Sequence, residues 1–197
     1  MDNAKTLQSY NDHIDDYIAG TPQQIELDFK DWVDAALTVI PPGATVLEIG
    51  SGFGRDADYI ESKGFKVIRT DAAKGFVDLL INKGHEARLL DALKDSFGTN
   101  LDMIFAHAVL LHFDPDQVLM VINKAHDCLK SGGVFAFSLK EGTGSEWSEA
   151  KLNSPRYFKY WSEADLKSLL NNSAFKNFEV SKRDSGRDMW LQVIAKK

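Results

Sequence analysis

Three glycines follow a short apolar run in the segment VLEIGSGFGRD, which spans residues 46–56. The glycines are Gly50, Gly52 and Gly54, and an acid, Glu48, lies inside the apolar run just before them. Glycine permits unusual backbone φ angles and lets the backbone approach another group closely. The pattern therefore predicts a loop that a ligand meets at short range, with a nearby carboxylate that favours a positively charged part of that ligand.

Three kinds of ligand are considered for this glycine loop. A nucleoside triphosphate is disfavoured, because Gly-Lys-Ser/Thr would have to follow the loop and Arg55 and Asp56 stand there instead. A dinucleotide is disfavoured because Arg55 occupies the sixth place of G-x-G-x-x-G, and a pyrophosphate gains nothing from Glu48. A ligand with an ammonium group and no phosphate fits better, and S-adenosylmethionine is such a ligand.

Two further acids extend the pattern. Asp71 ends the segment VIRTD, and Asp91 lies near the end of the segment RLLDA. Ligands of an open α/β sheet bind outside the carboxyl ends of its strands, so these acids and Glu48 are predicted to meet at one edge. Asp71 could hold two ribose hydroxyls, and Asp91 could accept a hydrogen bond from an adenine amino group. Each acid alone could be a helix cap or a loop residue, and it is the set of three that indicates a nucleoside.

The order of the predicted elements supplies the edge on which these acids would lie. Residues 1–40 are predicted to be helical, with apolar side chains at helical spacing between Ile25 and Ile40. From residue 45 to residue 140, apolar runs typical of strands alternate with helical segments, which predicts a parallel, doubly wound α/β sheet. A helix and two strands joined by DSGRD follow. The sequence therefore predicts a mostly parallel seven-stranded sheet closed by a C-terminal antiparallel hairpin.

Composition narrows the classes of partner. The chain has 197 residues and a formal net charge of −6, which suits one globular domain and makes a free polyanion such as DNA or RNA a poor first guess. The single cysteine, Cys128, excludes an intrachain disulfide and a multi-cysteine metal site. The sequence shows neither a signal-peptide pattern nor an apolar run long enough to span a membrane. We therefore expect a cytoplasmic protein with no metal, no nucleic-acid partner and no membrane partner.

These segments resemble the motifs of the class I S-adenosylmethionine-dependent methyltransferases. VLEIGSGFGRD is similar to the family's first motif, VIRTDAA to its ribose-binding strand end and LLDAL to its adenine-contacting segment. LDMIFAHAVLLHF resembles the fourth-strand motif, and CLKSGGVFAFSLK resembles the turn before the fifth strand. The resemblance runs from about residue 6 to the C-terminus. It implies one Rossmann-like methyltransferase domain over residues 1–197, with an N-terminal helical lid over 1–40 and the core over 45–197.

The resemblance also implies a cofactor, S-adenosylmethionine, and a small-molecule acceptor. No Asn/Asp-Pro-Pro-Tyr follows the fourth strand and no cysteine lies in a predicted active-site loop, which disfavours several branches that act on larger acceptors. The alternatives on the same fold are a non-catalytic cofactor-binding protein and a nicotinamide-dependent oxidoreductase. The cofactor-binding residues that the resemblance implies are Tyr17, Glu48, Gly50, Gly52, Arg55, Asp71, Ala72, Asp91, Ala92 and His107.

Three residues are candidates for contact with the acceptor. His112 follows the fourth strand and could be a general base, although it could instead cap the next helix. Lys140 ends the fifth strand and could pair with an anionic acceptor or be an exposed loop lysine. Tyr157 lies in the aromatic segment SPRYFKYW, which could roof the acceptor site or only pack the last helix onto the sheet.

Two tyrosines of the N-terminal segment are candidates for a lid. Tyr10 and Tyr17 are seven residues apart, so they lie on one face of a helix, two turns from each other. That face either closes over the cofactor, together with a mobile glycine-rich loop over residues 141–147, or is only the apolar stripe of the helix.

Overall fold

The structure is a computed structural model that describes residues 3–197. Strands and helices alternate through most of it. Within these residues the strands are β1 (Thr45–Ile49), β2 (Lys66–Asp71), β3 (Ala87–Leu89), β4 (Leu101–Ala106), β5 (Leu129–Lys140), β6 (Ser145–Ser148), β7 (Arg156–Lys159), β8 (Asn177–Asp184) and β9 (Met189–Lys196). The α-helices are α1 (Ala4–Asp12), α2 (Ile14–Ala19), α3 (Leu27–Thr38), α4 (Arg55–Ser62), α5 (Lys74–Asn82), α6 (Pro115–Cys128) and α7 (Glu163–Asn171).

The main sheet has seven strands in the order β3-β2-β1-β4-β5-β9-β8. The first five strands are parallel, and β9 and β8 are antiparallel additions at one edge. β1 lies in the centre, where Glu48 pairs in register with Arg69 of β2 on one side and Phe105 of β4 on the other. The predicted fold class, a doubly wound sheet closed by a C-terminal hairpin, is confirmed.

Helices cover both faces of the sheet, and each face has its own apolar core. One core contains Leu47 and Ile49 of β1 together with side chains of α6 and α7. The other core contains Val46 of β1 together with Phe29 and Trp32 of α3. Side chains alternate between the two faces along a strand, so each residue of β1 belongs to one core or the other. The carboxyl ends of β1, β2 and β4 are left open between the two layers.

Helix α6 begins where the sequence marks a start. Asp114 accepts a hydrogen bond from the backbone N–H of Gln117, and the side chain of Gln117 accepts one from the backbone N–H of Asp114. This is a capping box, and Pro115 occupies the first helical position, where a missing N–H costs nothing. The cap fixes where the chain turns after β4, and the short 3₁₀ helix Leu110–His112 lies in that turn.

Two segments differ from the predicted layout. The helical segment at the N-terminus is divided into three helices, and α3 packs into the core, where Val33 and Ala36 are fully buried. Only α1 and α2 are therefore placed to act as a lid. The predicted mobile loop over residues 141–147 contains the start of β6, which pairs with β7 in a separate two-stranded antiparallel sheet. Among residues 3–197, none of the helices combines the length and the apolar character that crossing a membrane requires.

Candidate active site

The glycine loop connects β1 to α4 at the open edge of the sheet. Gly50 and Gly52 have φ angles of 74° and 53°, a region that L side chains rarely adopt. A Cβ atom at Gly50 would lie 2.4 Å from Cγ2 of Val109, so that position excludes any larger residue. A Cβ atom at Gly52 would have only Tyr17 nearby, at 3.8 Å, and would point into an open space. The two glycines are thus required for different reasons.

A small cavity of about 90 Å³ lies beside this loop. The structure brings eight of the ten predicted cofactor residues together in its wall, namely Tyr17, Gly50, Gly52, Asp71, Ala72, Asp91, Ala92 and His107. Apolar side chains such as Leu90 and Phe113 form other parts of the wall. The cavity therefore combines an apolar surface with two carboxylates, which is the composition that a nucleoside site requires.

Asp71 is held rigidly at the end of β2. Its Oδ2 accepts a hydrogen bond from the backbone N–H of Gly52 at 2.9 Å, and its Oδ1 accepts one from Ala73 at 2.8 Å. Burial raises the pKa of Asp71 to about 6, while these backbone N–H groups act in the opposite direction. The carboxylate is therefore ionised at neutral pH, and each oxygen keeps a lone pair that a ligand hydroxyl can use.

Asp91 follows β3 and is also fixed by local bonds. Its Oδ1 accepts a hydrogen bond from the backbone N–H of Leu93 at 2.9 Å, and its Oδ2 lies 3.0 Å from Nζ of Lys94. These contacts hold the acid in place in the wall of the small cavity.

A larger cavity of about 1040 Å³ adjoins the small one. Residues of α1, α2, the glycine loop and the segment after β4 belong to the walls of both cavities, and they form the junction between them. These shared residues are Tyr10, Tyr17, Gly50, Gly52, His107, Ala108 and His112. A ligand group that passes from one cavity to the other must pass them.

His112 is held in one tautomer at this junction. Its Nδ1 lies 2.6 Å from the carbonyl oxygen of Tyr157, which can only accept, so Nδ1 carries the proton. Its Nε2 is then a lone-pair acceptor, and it lies 2.9 Å from the hydroxyl of Tyr10, which donates to it. Burial lowers the pKa of His112 to about 4, so the imidazole is neutral near pH 7. It is a base in the correct form to accept a proton.

His107 and Ala108 are fixed at the end of β4 by one hydroxyl. Ser138 Oγ lies 2.7 Å from Nδ1 of His107 and accepts a hydrogen bond from the backbone N–H of Ala108 at 3.0 Å. Ala108 has a φ of 57°, which is uncommon for a residue other than glycine and is often found at functional sites. Burial lowers the pKa of His107 to about 4, and its ring packs against Phe29.

Arg55 and Lys140 line the larger cavity, as the sequence predicts for residues that meet a ligand. Both are already paired with carboxylates. Nε of Arg55 lies 2.7 Å from Asp56, and Nζ of Lys140 lies 2.9 Å from Asp188 in the turn between β8 and β9. A ligand anion would therefore have to compete with an existing ion pair at either residue.

Tyr157 requires a correction. Its side chain lines neither cavity and packs instead against Trp147 of β6, with ring centroids 5.7 Å apart. The reason is the alternation of side chains along β7, which turns Arg156 and Phe158 towards the larger cavity and Tyr157 away from it. Tyr157 instead contributes its carbonyl oxygen, which holds His112.

Comparison with known proteins identifies the family. The family model for the methyltransferase domain matches residues 23–180, which is most of the chain. The chain belongs to this family. The predicted membership of the class I S-adenosylmethionine-dependent methyltransferases is confirmed, and S-adenosylmethionine, the predicted cofactor, is the cofactor of the family.

Individual relatives are distant. Phosphoethanolamine N-methyltransferase 1 of Arabidopsis thaliana is 26% identical over 161 residues, which are 74% of this chain and 32% of that protein. This chain thus spans about a third of the length of that curated relative. An S-adenosylmethionine-dependent methyltransferase of Methanosarcina mazei superposes with a TM-score of 0.70 at 18% identity, covering 83% of this chain and 96% of its own.

A second solved structure covers the whole chain. It is the 1,6-didemethyltoxoflavin-N1-methyltransferase of Burkholderia thailandensis with 1,6-didemethyltoxoflavin and S-adenosylhomocysteine bound. Its TM-score is 0.68 at 20% identity, covering 100% of this chain and 91% of its own. At such identities the likeness to both solved structures shows the fold.

The residues at the site fit the methyltransferase cofactor, with one qualification for Glu48. Glu48 lines neither cavity, because it lies on the face of β1 that points towards α3 and α4. It is only 2% exposed, and its Oε2 has no hydrogen-bond partner. Burial, and then the neighbouring charge of Asp56, raises its pKa to about 8. A cation that binds near the loop would lower this pKa, and the carboxyl group of Glu48 would then lose its proton and become negatively charged.

Helix α1, which belongs to the predicted lid, is docked against two other segments of the chain. Thr6 of α1 accepts a hydrogen bond from the backbone N–H of Tyr157 at 3.1 Å, and Ser9 donates one to the carbonyl of Pro155 at 2.7 Å. Asn11 accepts a hydrogen bond from Gly75 at the start of α5. Tyr10 and Tyr17 stand in contact, with ring centroids 5.5 Å apart, at the junction of the cavities.

Sequence reasoning missed three residues of the methyltransferase site. Ser138 lies two residues before Lys140, the last residue of β5, and nothing in the pattern SLK distinguishes it. Arg156 stands in the segment SPRYFKYW, whose aromatic side chains were considered as a roof or as packing while the arginine was given no role, and Lys151 lies in a polar stretch. Alternation along a short strand before Phe158 was the signal that could have placed Arg156 on the cavity side.

Proposed function

We propose that this chain transfers the methyl group of S-adenosylmethionine to a small-molecule acceptor. The observation that carries the proposal is the junction at which Tyr10, His107 and His112 separate the small cavity, which Asp71 and Asp91 line, from a larger cavity. A cofactor whose adenosyl part lies on one side would present its methyl group to an acceptor on the other. Two of the matched proteins are named for small acceptors, phosphoethanolamine and 1,6-didemethyltoxoflavin, which supports the same class here.

The size of the larger cavity supports a small acceptor. Its volume of about 1040 Å³ is close to the upper end of the roughly 300–1,000 Å³ of ordinary small-molecule sites. Aromatic side chains of three elements line it, including Phe29, Phe158 and Trp190. These surfaces suit an acceptor with an apolar or planar part.

The geometry of the small cavity supports an assignment of the cofactor residues. Asp71 would accept the ribose hydroxyls, because its carboxylate is fixed by Gly52 and Ala73 and faces the cavity. Asp91 and the backbone beside Ala92 would meet the adenine, and the loop at Gly50 and Gly52 would meet the amino-acid part. Glu48 would act from below the loop, through its charge.

The methyl donor itself needs little activation. When bound, S-adenosylmethionine supplies an electrophilic methyl group and leaves as the neutral thioether S-adenosylhomocysteine. A hydroxyl acceptor must lose its proton as the new bond to the methyl carbon forms, and a protonated amine must lose its proton before it attacks, because only then does its nitrogen have a lone pair. Tyr10 lines both cavities, so its oxygen can take that proton while its own proton passes to Nε2 of His112. The carbonyl of Tyr157 then stabilises the resulting imidazolium through Nδ1.

The lid must open for the cofactor to enter. The small cavity holds about 90 Å³, well below the roughly 300 Å³ of the smallest ordinary ligand sites. Tyr10 and Tyr17 of the N-terminal helices form part of its cover, together with Thr6 and Leu7. Movement of α1 and α2 would enlarge the cavity and would exclude water once they close again. The lid thus consists of α1 and α2, and the remaining chain is the core of one domain.

Binding and turnover test the proposal separately. Isothermal titration with S-adenosylhomocysteine should show binding that Asp71→Asn weakens by roughly 10- to 150-fold, the loss of about 1.5–3 kcal/mol expected for hydrogen bonds to a charged group. Asp78→Asn, on the exposed face of α5, is the matched control and should bind normally. An unchanged dissociation constant in Asp71→Asn would remove that residue from the site.

Transfer of a labelled methyl group to a panel of small hydroxyl and amine compounds then tests catalysis. Transfer to at least one compound is the expected result. Tight binding of S-adenosylhomocysteine with no transfer to any compound would instead favour a non-catalytic cofactor-binding protein. Binding of NAD in place of S-adenosylhomocysteine would favour an oxidoreductase and would contradict the proposal.

A further inference from the structure

The larger cavity is lined by twice as many cationic side chains as carboxylates. The cationic side chains are Arg55, Lys140, Lys151, Arg156, Arg183 and Arg187, and the carboxylates are Glu26, Asp56 and Asp188. The chain as a whole carries a net charge of −6. The excess of positive charge is therefore a local property of this cavity and not of the protein surface in general.

Ion pairs engage all three carboxylates. The pairs are Arg55 with Asp56, Lys140 with Asp188, and Arg183 with Glu26. Within residues 3–197, no carboxylate lies within ion-pair distance of the other three cations, Lys151, Arg156 and Arg187. The cavity thus keeps three positive charges that the protein itself does not neutralise.

Arg156 is the most constrained of these cations. It is only 5% exposed, and the contacts of its guanidinium are with the Tyr10 hydroxyl, at 3.3 Å, and with the rings of Tyr10 and Phe158. Its Nε has no hydrogen-bond partner. Arg69, which is equally buried, donates hydrogen bonds to Asp58 and Glu61. A buried charge without such partners is unfavourable, so an anion bound beside the guanidinium of Arg156 would stabilise it.

Lys151 faces the same space from the segment after β6. Its Nζ donates a hydrogen bond to Thr21 and lies 4.0 Å from the centre of the Tyr17 ring. Burial, and then repulsion from other cations, of which Arg156 has the largest effect, lowers its pKa to about 8. An anion that enters this space would be attracted by the charges of both Lys151 and Arg156.

We propose that the acceptor carries an oxyanion, a phosphate or a carboxylate group, which Arg156 and Lys151 bind in the larger cavity. A guanidinium offers two parallel N–H donors, which match the two oxygens of either group. Arg156 contacts Tyr10, and Tyr10 contacts His112, so an anion bound there lies next to the groups that take the proton. The charged end would fix the acceptor while its nucleophile faces the junction. The inference rests on the proposed methyl transfer and names the class of its acceptor.

Anion binding can be measured before any acceptor is known. The protein is first saturated with S-adenosylhomocysteine, and its melting temperature is then followed in sodium phosphate, in sodium acetate and in sodium chloride at matched ionic strength. The variants are Arg156→Gln and Lys151→Gln, and the control is Arg88→Gln, whose side chain is exposed on β3 and outside both cavities. Lys151 is less buried than Arg156, so its variant keeps the test informative if Arg156→Gln does not fold.

The expected result is a rise of the melting temperature in phosphate or acetate, beyond that in chloride, for the unmodified protein and for Arg88→Gln. Its dependence on concentration should give an apparent Kd that either cavity variant weakens by about tenfold or more. A stronger effect of phosphate than of acetate would assign the acceptor to the phosphates, and the reverse to the carboxylates. Equal shifts in all three salts, or an anion effect unchanged in both cavity variants, would overturn the inference. Failure of S-adenosylhomocysteine to bind at the outset would instead refute the proposed function itself.

Discussion

Substitution of the loop glycines by alanine separates a glycine needed for packing from one needed for a ligand. At Gly50 the added Cβ would lie 2.4 Å from Val109, and the φ of 74° is strained for alanine. The strained φ costs roughly 1–2 kcal/mol and the overpacking about 1–3 kcal/mol, so Gly50→Ala should lower the free energy of unfolding by roughly 2–5 kcal/mol. Gly52→Ala meets only Tyr17, at 3.8 Å, so only the cost of the φ angle, roughly 1–2 kcal/mol, should remain.

In ligand binding the order should be reversed, and Gly52→Ala should be affected more than its effect on stability suggests. A methyl group at Gly52 points into the space shared by both cavities, where the cofactor would lie. Gly52→Ala should therefore bind S-adenosylhomocysteine much more weakly than its modest loss of stability implies. The steric part of the Gly50→Ala effect should be relieved in the double variant Gly50→Ala/Val109→Ala, whose coupling free energy should be about 1–3 kcal/mol.

The measurements are urea denaturation and titration with S-adenosylhomocysteine of five proteins. These are the unmodified protein, the single variants Gly50→Ala, Gly52→Ala and Val109→Ala, and the double variant. The reasoning is refuted for Gly50 if Gly50→Ala is as stable as the unmodified protein, or if truncation of Val109 restores nothing. It is refuted for Gly52 if Gly52→Ala binds S-adenosylhomocysteine with unchanged affinity.

Three further predictions concern charge, the base and the lid. Burial holds the pKa of Glu48 near 8 in the folded state, above its unfolded value, so its contribution to stability is present at low pH and is lost as pH rises from about 5 to 8. The free energy of unfolding of Glu48→Gln should not show this loss and should rise relative to that of the unmodified protein by up to about 4 kcal/mol over that range. Parallel curves of stability against pH would contradict this prediction. His112→Gln should bind S-adenosylhomocysteine within about twofold of normal but transfer methyl groups about 10²–10⁴-fold more slowly to a hydroxyl acceptor, whereas His126→Gln on α6 should be unaffected; full activity in His112→Gln would exclude the base. Proteolytic cleavage within residues 4–20 should slow when S-adenosylhomocysteine is added, and equal cleavage at saturation would mean that α1 and α2 are not a lid.

Most of the main sheet was predictable because its signals are local. Strands β1, β2, β4 and β5 each contain an apolar run, and the start of α6 is marked by Asp114 and Pro115. The separate β6–β7 sheet was not predictable, since β6 is four largely exposed residues without alternation. Its pairing of Trp147 with Tyr157 depends on a connection that only the folded chain defines.

The part of the site that lies at strand ends was predictable for the same reason. Asp71 and Asp91 end or follow strands, and the topology of a doubly wound sheet brings such ends together. The excess charge of the larger cavity was not predictable, because it depends on which cations find a carboxylate. Lys140 finds Asp188 in a turn 48 positions later, whereas Arg156 finds none in the described chain.

The orientation of Glu48 shows a limit of motif reasoning. The motif places this acid next to the glycine loop, and the structure agrees that it is close in sequence and in space. Alternation along β1, however, puts its side chain on the same face as Val46, behind the loop and outside both cavities. Its effect on a ligand would therefore be through charge and not through direct contact.

A crystal structure of the protein with S-adenosylhomocysteine bound tests the assignment of the two cavities most directly. We expect the ribose hydroxyls to lie on Asp71 and the adenine to lie near Asp91. We also expect the sulfur to lie at the junction and to face the larger cavity beside His112, with α1 and α2 displaced from their present positions. S-adenosylhomocysteine bound elsewhere, or with its sulfur turned away from the larger cavity, would show that the small cavity is not the cofactor site.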